Sequence, residues 1–251
     1  MYVLLVISGK GGVGKSSLSV LLSLYLNKLG HKVSLLDLDI CGPSLGCFLG
    51  IKDANIIKNQ NGSIIPYKYS DLLNCLSMSF LLSDPDAAII WRGPRKNALI
   101  KEVCQNVDWG DSEFLIIDTP PGIQDEHITL AELFYNVEHV SALVITTPHE
   151  LSIDDVQRQT TFCRRTGIKL LGIIENMKNF VCPNCKECFE IFQNGNVEQF
   201  CGAHDINYIG NLEILPKIAL SLDCGRNIMD EESDISIETI LKSVYNLLIN
   251  V

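Results

Sequence analysis

The feature that most constrains this chain lies at its start, where an apolar run over 2–7 breaks into Gly9-Lys10-Gly11-Gly12-Val13-Gly14-Lys15-Ser16 and then into a helix-length stretch. A strand that turns through four glycines into a helix brings its backbone N–H groups inward at the positive helix end, which makes a nest for anions. The spacing matches G-x-x-x-x-G-K-[ST] in the strand-to-helix context that the pattern requires. Gly9 through Ser17 are therefore expected to cradle a nucleotide's phosphates. Lys15 would reach the β and γ phosphates, and the Ser16 hydroxyl would hold Mg²⁺.

Further along, short apolar runs alternate with amphipathic stretches. Strands are expected near 2–7, 32–37, 114–118, 140–146, 169–176 and 208–212, with helices over 15–29, 96–107, 152–166 and 237–248. Near-continuous apolar strands separated by helices predict an α/β fold, a single doubly wound and mostly parallel sheet covered on both faces. No linker, repeat or low-complexity segment divides residues 1–251, and the turn-rich 50–70 segment reads as a loop or hairpin insertion.

Two strands end in carboxylates. Leu36-Asp37-Leu38-Asp39 leads into a turn beside the phosphate loop, and Asp39 is the candidate for positioning or activating the attacking water, with Asp37 structural or near the magnesium shell. The run 114–117 delivers Asp118-Thr119-Pro120-Pro121-Gly122, a Walker B strand and switch-like turn in which Asp118 would bind Mg²⁺ through water. Asn176 ends a further strand, where an amide can cap the strand or turn for local reasons, while resemblance to related P-loop ATPases implies a contact with the adenine edge.

Of ten cysteines, Cys182, Cys185 and Cys188 cluster in Cys182-Pro183-Asn184-Cys185-Lys186-Glu187-Cys188, and Cys201 follows. Three readings fit these residues. All four could close a zinc site; Cys182 and Cys185 from each of two chains could share a [4Fe-4S] cluster; or the C-x-x-C pair could be redox-active, the last without a thioredoxin-like context. The remaining cysteines, 41, 47, 75, 104, 163 and 224, are expected as buried apolar residues.

Composition narrows the function classes. Twenty Lys plus Arg against 30 Asp plus Glu give a net charge of −10 with no basic block, which argues against a nucleic-acid face. No apolar run approaches the roughly 20 residues of a membrane-spanning helix. The N-terminus has neither a basic region nor a small-residue cleavage site, so the expected location is cytoplasmic. The C-terminal helix has Lys242 as its cation and an acidic stretch before it, a pattern for docking on the domain's own core rather than on a membrane.

Lys10, directly after the first glycine, gives K-G-G-x-G-K-[ST], which resembles the deviant Walker A (MinD/Mrp-like) group of P-loop NTPases. The resemblance implies an ATP sandwiched in a dimer, with Lys10 acting across the interface on the partner's nucleotide. IWRGPRK at 90–96, DWG at 108–110, IDTPPG at 117–122, DEH at 125–127 and IIENMKNFVCPNC at 173–185 narrow it further. Over about residues 1–230 the chain resembles the Mrp/NBP family, and within it the small-subunit type of the eukaryotic cytosolic iron–sulfur assembly scaffold.

That resemblance implies a labile [4Fe-4S] cluster on Cys182 and Cys185 shared between subunits, ATP-dependent loading or transfer, and recipient apoproteins. It also implies a homodimer and a heterocomplex with a larger ATPase bearing an N-terminal four-cysteine extension. The alternative is a MinD- or ParA-like ATPase switch with a structural zinc. Two departures stand out: the sequence after the cysteines is sparse in glycine around 194–196, and Gln124 precedes DEH where a small residue is typical.

Overall fold

The computed structural model describes residues 1–40, 42–52, 54, 56–81, 93–192, 196–229 and 235–250. In chain order the strands are β1 (Tyr2–Ser8), β2 (Val33–Asp37), β3 (Ile57–Lys58), β4 (Ile64–Ile65), β5 (Tyr67–Lys68), β6 (Leu73–Ser77), β7 (Phe114–Asp118), β8 (Val140–Thr146), β9 (Lys169–Glu175), β10 (Phe180–Val181), β11 (Cys188–Phe189) and β12 (Tyr208–Asn211). The α-helices are α1 (Lys15–Lys28), α2 (Leu45–Phe48), α3 (Gly93–Asn106), α4 (Asp125–Leu133), α5 (Glu150–Thr166), α6 (Val197–Ala203), α7 (Pro216–Asp223) and α8 (Ile235–Ile249).

Eight strands form one sheet in the order β12-β9-β8-β1-β7-β2-β6-β5. Every pairing is parallel except β5 with β6. β1 lies between β8 and β7, the reversal point where ligands of open α/β sheets bind beyond the strands' carboxyl ends.

Strand periodicity splits the core into two layers. Leu4 and Val6 of β1, with Phe114 and Ile116 of β7, pack with α1 and α8, whereas Val3, Leu5, Ile7, Leu115 and Ile117 pack with α3, α4 and α5. This is the expected doubly wound α/β arrangement. α8 docks on the core through Ile237, Ile240, Leu241, Val244 and Leu248, while Ile235 points outward. Among the described residues no helix is long and apolar enough to cross a membrane.

Several elements exceed the expectation. β6 fills the place beside β2, although Leu-Asn-Cys-Leu-Ser reads as too polar for an inner strand. α4 and α7, of nine and eight residues, are too short to show a helical period. The 50–70 insertion does contain a hairpin, β3 against β4, folded around the Asn59 turn. Residues 90–92 of the IWRGPRK motif, Cys41, the 194–195 positions and the 230–234 segment with its four carboxylates lie outside the described residues.

Candidate functional site

β1 ends at the bottom of a cleft of about 420 Å³ lined by Lys10, Gly11, Gly12, Gly14, Lys15, Ser16 and Ser17 on one side and by Asp39, Gly42, Pro121 and Met177 on the other. Gly14 has a φ of 87°, and a Cβ there would lie 2.2 Å from Asn176 Nδ2, so only glycine fits both the left-handed turn and the approaching amide. The Asn176 Nδ2 donates to the Val13 carbonyl at 2.8 Å, and its backbone N–H donates to the Thr146 carbonyl at 2.7 Å. Asn176 therefore braces the loop from behind. A Cβ on Gly9 would collide with Asp155 of α5 at 2.1 Å, which shows how tightly α5 backs the loop. Gln159 of α5 donates to the Ser8 carbonyl at 3.2 Å.

Below the loop the Lys15 ammonium meets Asp118 Oδ1 at 2.5 Å, both side chains being buried. Ser19 donates to the same oxygen at 3.2 Å, and Lys15 Nζ lies 3.5 Å from Ser16 Oγ. Asp37 is in register with Asp118 on the neighbouring strand. Burial first, then the adjacent Asp118 charge, push the Asp37 carboxyl well above the usual carboxylate range. Its oxygens accept the Asp39 N–H and the Ser77 hydroxyl, each at 3.0 Å, so Asp37 holds the turn that carries Asp39. Two carboxylates against one ammonium, beside a serine hydroxyl, are a hard-oxygen donor set suited to hydrated Mg²⁺.

Asp39 is half-buried on the cleft's rim, and Gly42 N–H donates to its Oδ1 at 3.2 Å. It also lines a second cavity of about 270 Å³ with Pro120, Pro121, Lys96 and Glu126. The segment after Asp118 is laced to β1: Thr119 N–H and Oγ1 donate to the Val6 carbonyl, and Gly122 N–H donates to that of Ser8. His127 of α4 sits beneath it, with Nδ1 accepting from Gln124 N–H at 3.4 Å and Nε2 at 3.1 Å from Thr119 Oγ1. Burial, then the Lys15 charge, lower the His127 pKa to about 4, which keeps the ring neutral. The atypical Gln124 precedes the helix and ties back to the Pro121 carbonyl at 3.1 Å.

Lys10 leaves the loop outward. It is 43% exposed and lies 3.4 Å from Asp155 Oδ2 of its own chain. On the other side of Asn176, a cavity of about 150 Å³ runs between Ser17, Met177 and the 212–216 segment before α7. The sequence reading missed Asp155, Gln159 and this segment. The first two sit in an ordinary amphipathic helix, but Pro216 at the start of α7 marked a chain turn that could have pointed to the third.

The cysteines divide. β10 and β11 form a two-stranded hairpin that presents Cys182 and Cys185 at its tip, with Cys188 across from Val181. Cys182 is half-buried, Cys185 and Cys188 are exposed, and Cys201 is 1% exposed within the core. Hydrogen bonds from the Cys185 and Asn184 backbone N–H groups, and from the Cys185 thiol, lower the Cys182 pKa. Burial raises that of Cys201 to about 11. Among the described residues no three His, Cys, Asp or Glu side chains gather as a metal site, so the four-cysteine arrangement weighed for zinc is not assembled. Of the scattered cysteines, Cys75 and Cys163 are buried and Cys104 is half-buried, but Cys47 and Cys224 are exposed. The buried expectation fails for that pair because α2 and the end of α7 lie at the surface.

The family described as ParA, NUBPL iron-transfer P-loop NTPase, matches residues 1–249. A cytosolic Fe-S cluster assembly factor NUBP2 homolog from Culex quinquefasciatus is 42% identical over 97% of this chain and 95% of its own length. The NUBP2 of Gallus gallus is 42% identical over 92% and 85%. A nucleotide-binding protein from Archaeoglobus fulgidus, solved in complex with ADP, superposes with a TM-score of 0.78 at 30% identity, covering 93% of this chain and 89% of that one. The septum site-determining protein MinD of Pyrococcus horikoshii, at a TM-score of 0.69 and 20% identity over 98% and 95%, shares the fold.

Proposed function

The chain belongs to the ParA/NUBPL family of iron-transfer P-loop NTPases, and from that premise we propose that it is an ATP-hydrolysing scaffold for cytosolic iron–sulfur cluster assembly. Its cargo is a labile [4Fe-4S] cluster built between two subunits and passed to apoproteins. The observation that carries this reading is the half-site: one nucleotide loop of full design and, on the same chain, the half-buried Cys182 and the exposed Cys185 at a hairpin tip, where no group of three ligands gathers among the described residues. A four-iron cluster takes four thiolates, so two chains supply a complete set. The relatives named as cytosolic assembly factors support the same reading and a cytoplasmic location.

The residues divide the work as follows. The loop amides from Gly9 to Ser17 and the Lys15 ammonium bind the phosphates of ATP, and Asn176 braces the loop and faces the base side. Phosphate draws Lys15 away from Asp118, which frees that carboxylate. Mg²⁺ would be held by Ser16 and, through water, by Asp118, and it supplies neutralisation of phosphate charge. Asp39, on the rim, positions the attacking water whose oxygen displaces ADP from the γ-phosphorus.

Lys10 acts on the partner's nucleotide, and when it leaves Asp155 that carboxylate keeps Arg158 as a second cation at 3.2 Å. Cys182, held toward its thiolate by two backbone N–H groups, and Cys185 bind the cluster. The working unit is a homodimer or a heterocomplex with a larger ATPase that carries an N-terminal four-cysteine extension.

The test separates the two activities. Lys15→Ala should abolish nucleotide-dependent iron loading or release while its thiols still accept iron and sulfide by chemical reconstitution. Cys182→Ala should lose the cluster while ATP binding persists. Equal loss of both activities in both folded variants would refute this division of labour.

A further inference from the structure

β9 ends at Glu175, a carboxylate that is 2% exposed yet lies far from the phosphates' own ligands in sequence. Its Oε2 accepts from Lys178 Nζ at 2.9 Å and from the Tyr208 hydroxyl of β12 at 2.6 Å, and the Lys178 ammonium also lies 5.9 Å from the centre of the Tyr208 ring. Two charge-assisted bonds to one buried oxygen form a stiff node. The two residues between its acid and its base are Asn176, which grips the Val13 carbonyl of the phosphate loop, and Met177, held at a left-handed φ of 59°.

The same turn is zipped to the chain after β12. Leu212 N–H donates to the Glu175 carbonyl and Lys178 N–H to that of Leu212, both at 2.9 Å, and Ile214 N–H donates to that of Asn179 at 2.7 Å. Residues 212–216 line the base-side cavity with Asn176 and Met177. Immediately beyond Asn179 come β10 and Cys182. One rigid turn therefore touches the nucleotide's loop and base side at one end and carries the thiols at the other.

We infer that Glu175, Lys178 and Tyr208 are positioning residues that form a strut coupling nucleotide occupancy to the reach of Cys182 and Cys185. The inference rests on the scaffold reading and names the residues through which its two sites communicate. Coupling of this kind is reciprocal, so whatever nucleotide does to the thiols, a thiol ligand does to nucleotide affinity.

The experiment uses the full chain, reduced, metal-free and without oxygen. Iodoacetamide labelling of Cys182 and Cys185 is timed by peptide mass spectrometry with and without saturating ADP. The wild type should show a ratio of rates of about fivefold or more. Glu175→Gln and Lys178→Met should bring that ratio close to one while ADP still binds, and Lys178→Arg, which keeps the cation, should restore it. Because Lys178 is partly exposed, its variants keep the test open if Glu175→Gln fails to fold.

Variants that change the absolute rates but retain the wild-type ratio would overturn the strut, as would a wild-type ratio of one. Iron and sulfide loading of the same preparations keeps the two readings apart. A wild type that loads both without an ADP effect refutes the strut alone, and one that shows the effect but loads neither refutes the scaffold.

Discussion

The phosphate loop and the cysteine hairpin are built in opposite ways. The loop is wired into the core: Lys15, Asp118, Asp37 and His127 are buried, and α5 presses on Gly9 from behind. The hairpin is two strands of two residues each, with two exposed cysteines. Groups that bind phosphate from within one chain can be organised in advance by that chain's core, with Lys10 alone turned outward. A site completed by a second chain must stay at the surface, where its ligands contribute almost nothing to the fold. The contrast predicts that the same kind of substitution has very different consequences in the two regions.

The largest effect is expected at Lys15. Lys15→Met leaves Asp37 and Asp118 buried without their ammonium, which should cost about 3 kcal/mol or more of unfolding free energy, read from the urea midpoint. A midpoint within error of wild type would show that the loop is not part of the core.

His127 comes next. Its folded pKa of about 4 lies below the ordinary 6.5, so between these values the unfolded chain binds more protons than the folded one. Stability is therefore full above pH 6.5 and falls as the pH drops toward 4, by on the order of 3 kcal/mol through this residue. His127→Gln should remove that part of the slope in a pH series of unfolding curves, and an unchanged slope would contradict the buried neutral ring.

Gly14→Ala is a smaller insult. A left-handed φ of 87° costs a non-glycine residue about 1–2 kcal/mol, and the displaced Asn176 amide should also weaken nucleotide binding in a titration calorimeter. The smallest effect on folding is expected at the hairpin: Cys182→Ser with Cys185→Ser should leave the thermal midpoint of the metal-free chain where it is. A large drop would mean that the hairpin is structural after all.

Legibility in the sequence followed the same divide. β1, the loop and β7 were readable because continuous apolar runs, glycine spacing and terminal carboxylates are local signals. The C-x-x-C pair was readable too, but not the separation of Cys201 from it, since the core position of Cys201 depends on how α6 packs. α4, α7 and β6 were missed because two helical turns or five mixed residues carry no period. Asp155 behind Gly9, Lys10 resting on Asp155, and Glu175 bonded to Tyr208 all join residues distant in the chain, and nothing in a single sequence marks such pairs.

The central claim is that two thiol groups per chain make half of a shared cluster site. The most direct test is the iron, zinc and acid-labile sulfide content of protein purified and reconstituted without oxygen, beside a Cys182→Ala, Cys185→Ala double variant. About two irons and two sulfides per chain, lost in the variant, are the predicted result, as a four-iron cluster divided between two chains requires. About one zinc per chain with no sulfide would contradict it and make the hairpin a structural clasp.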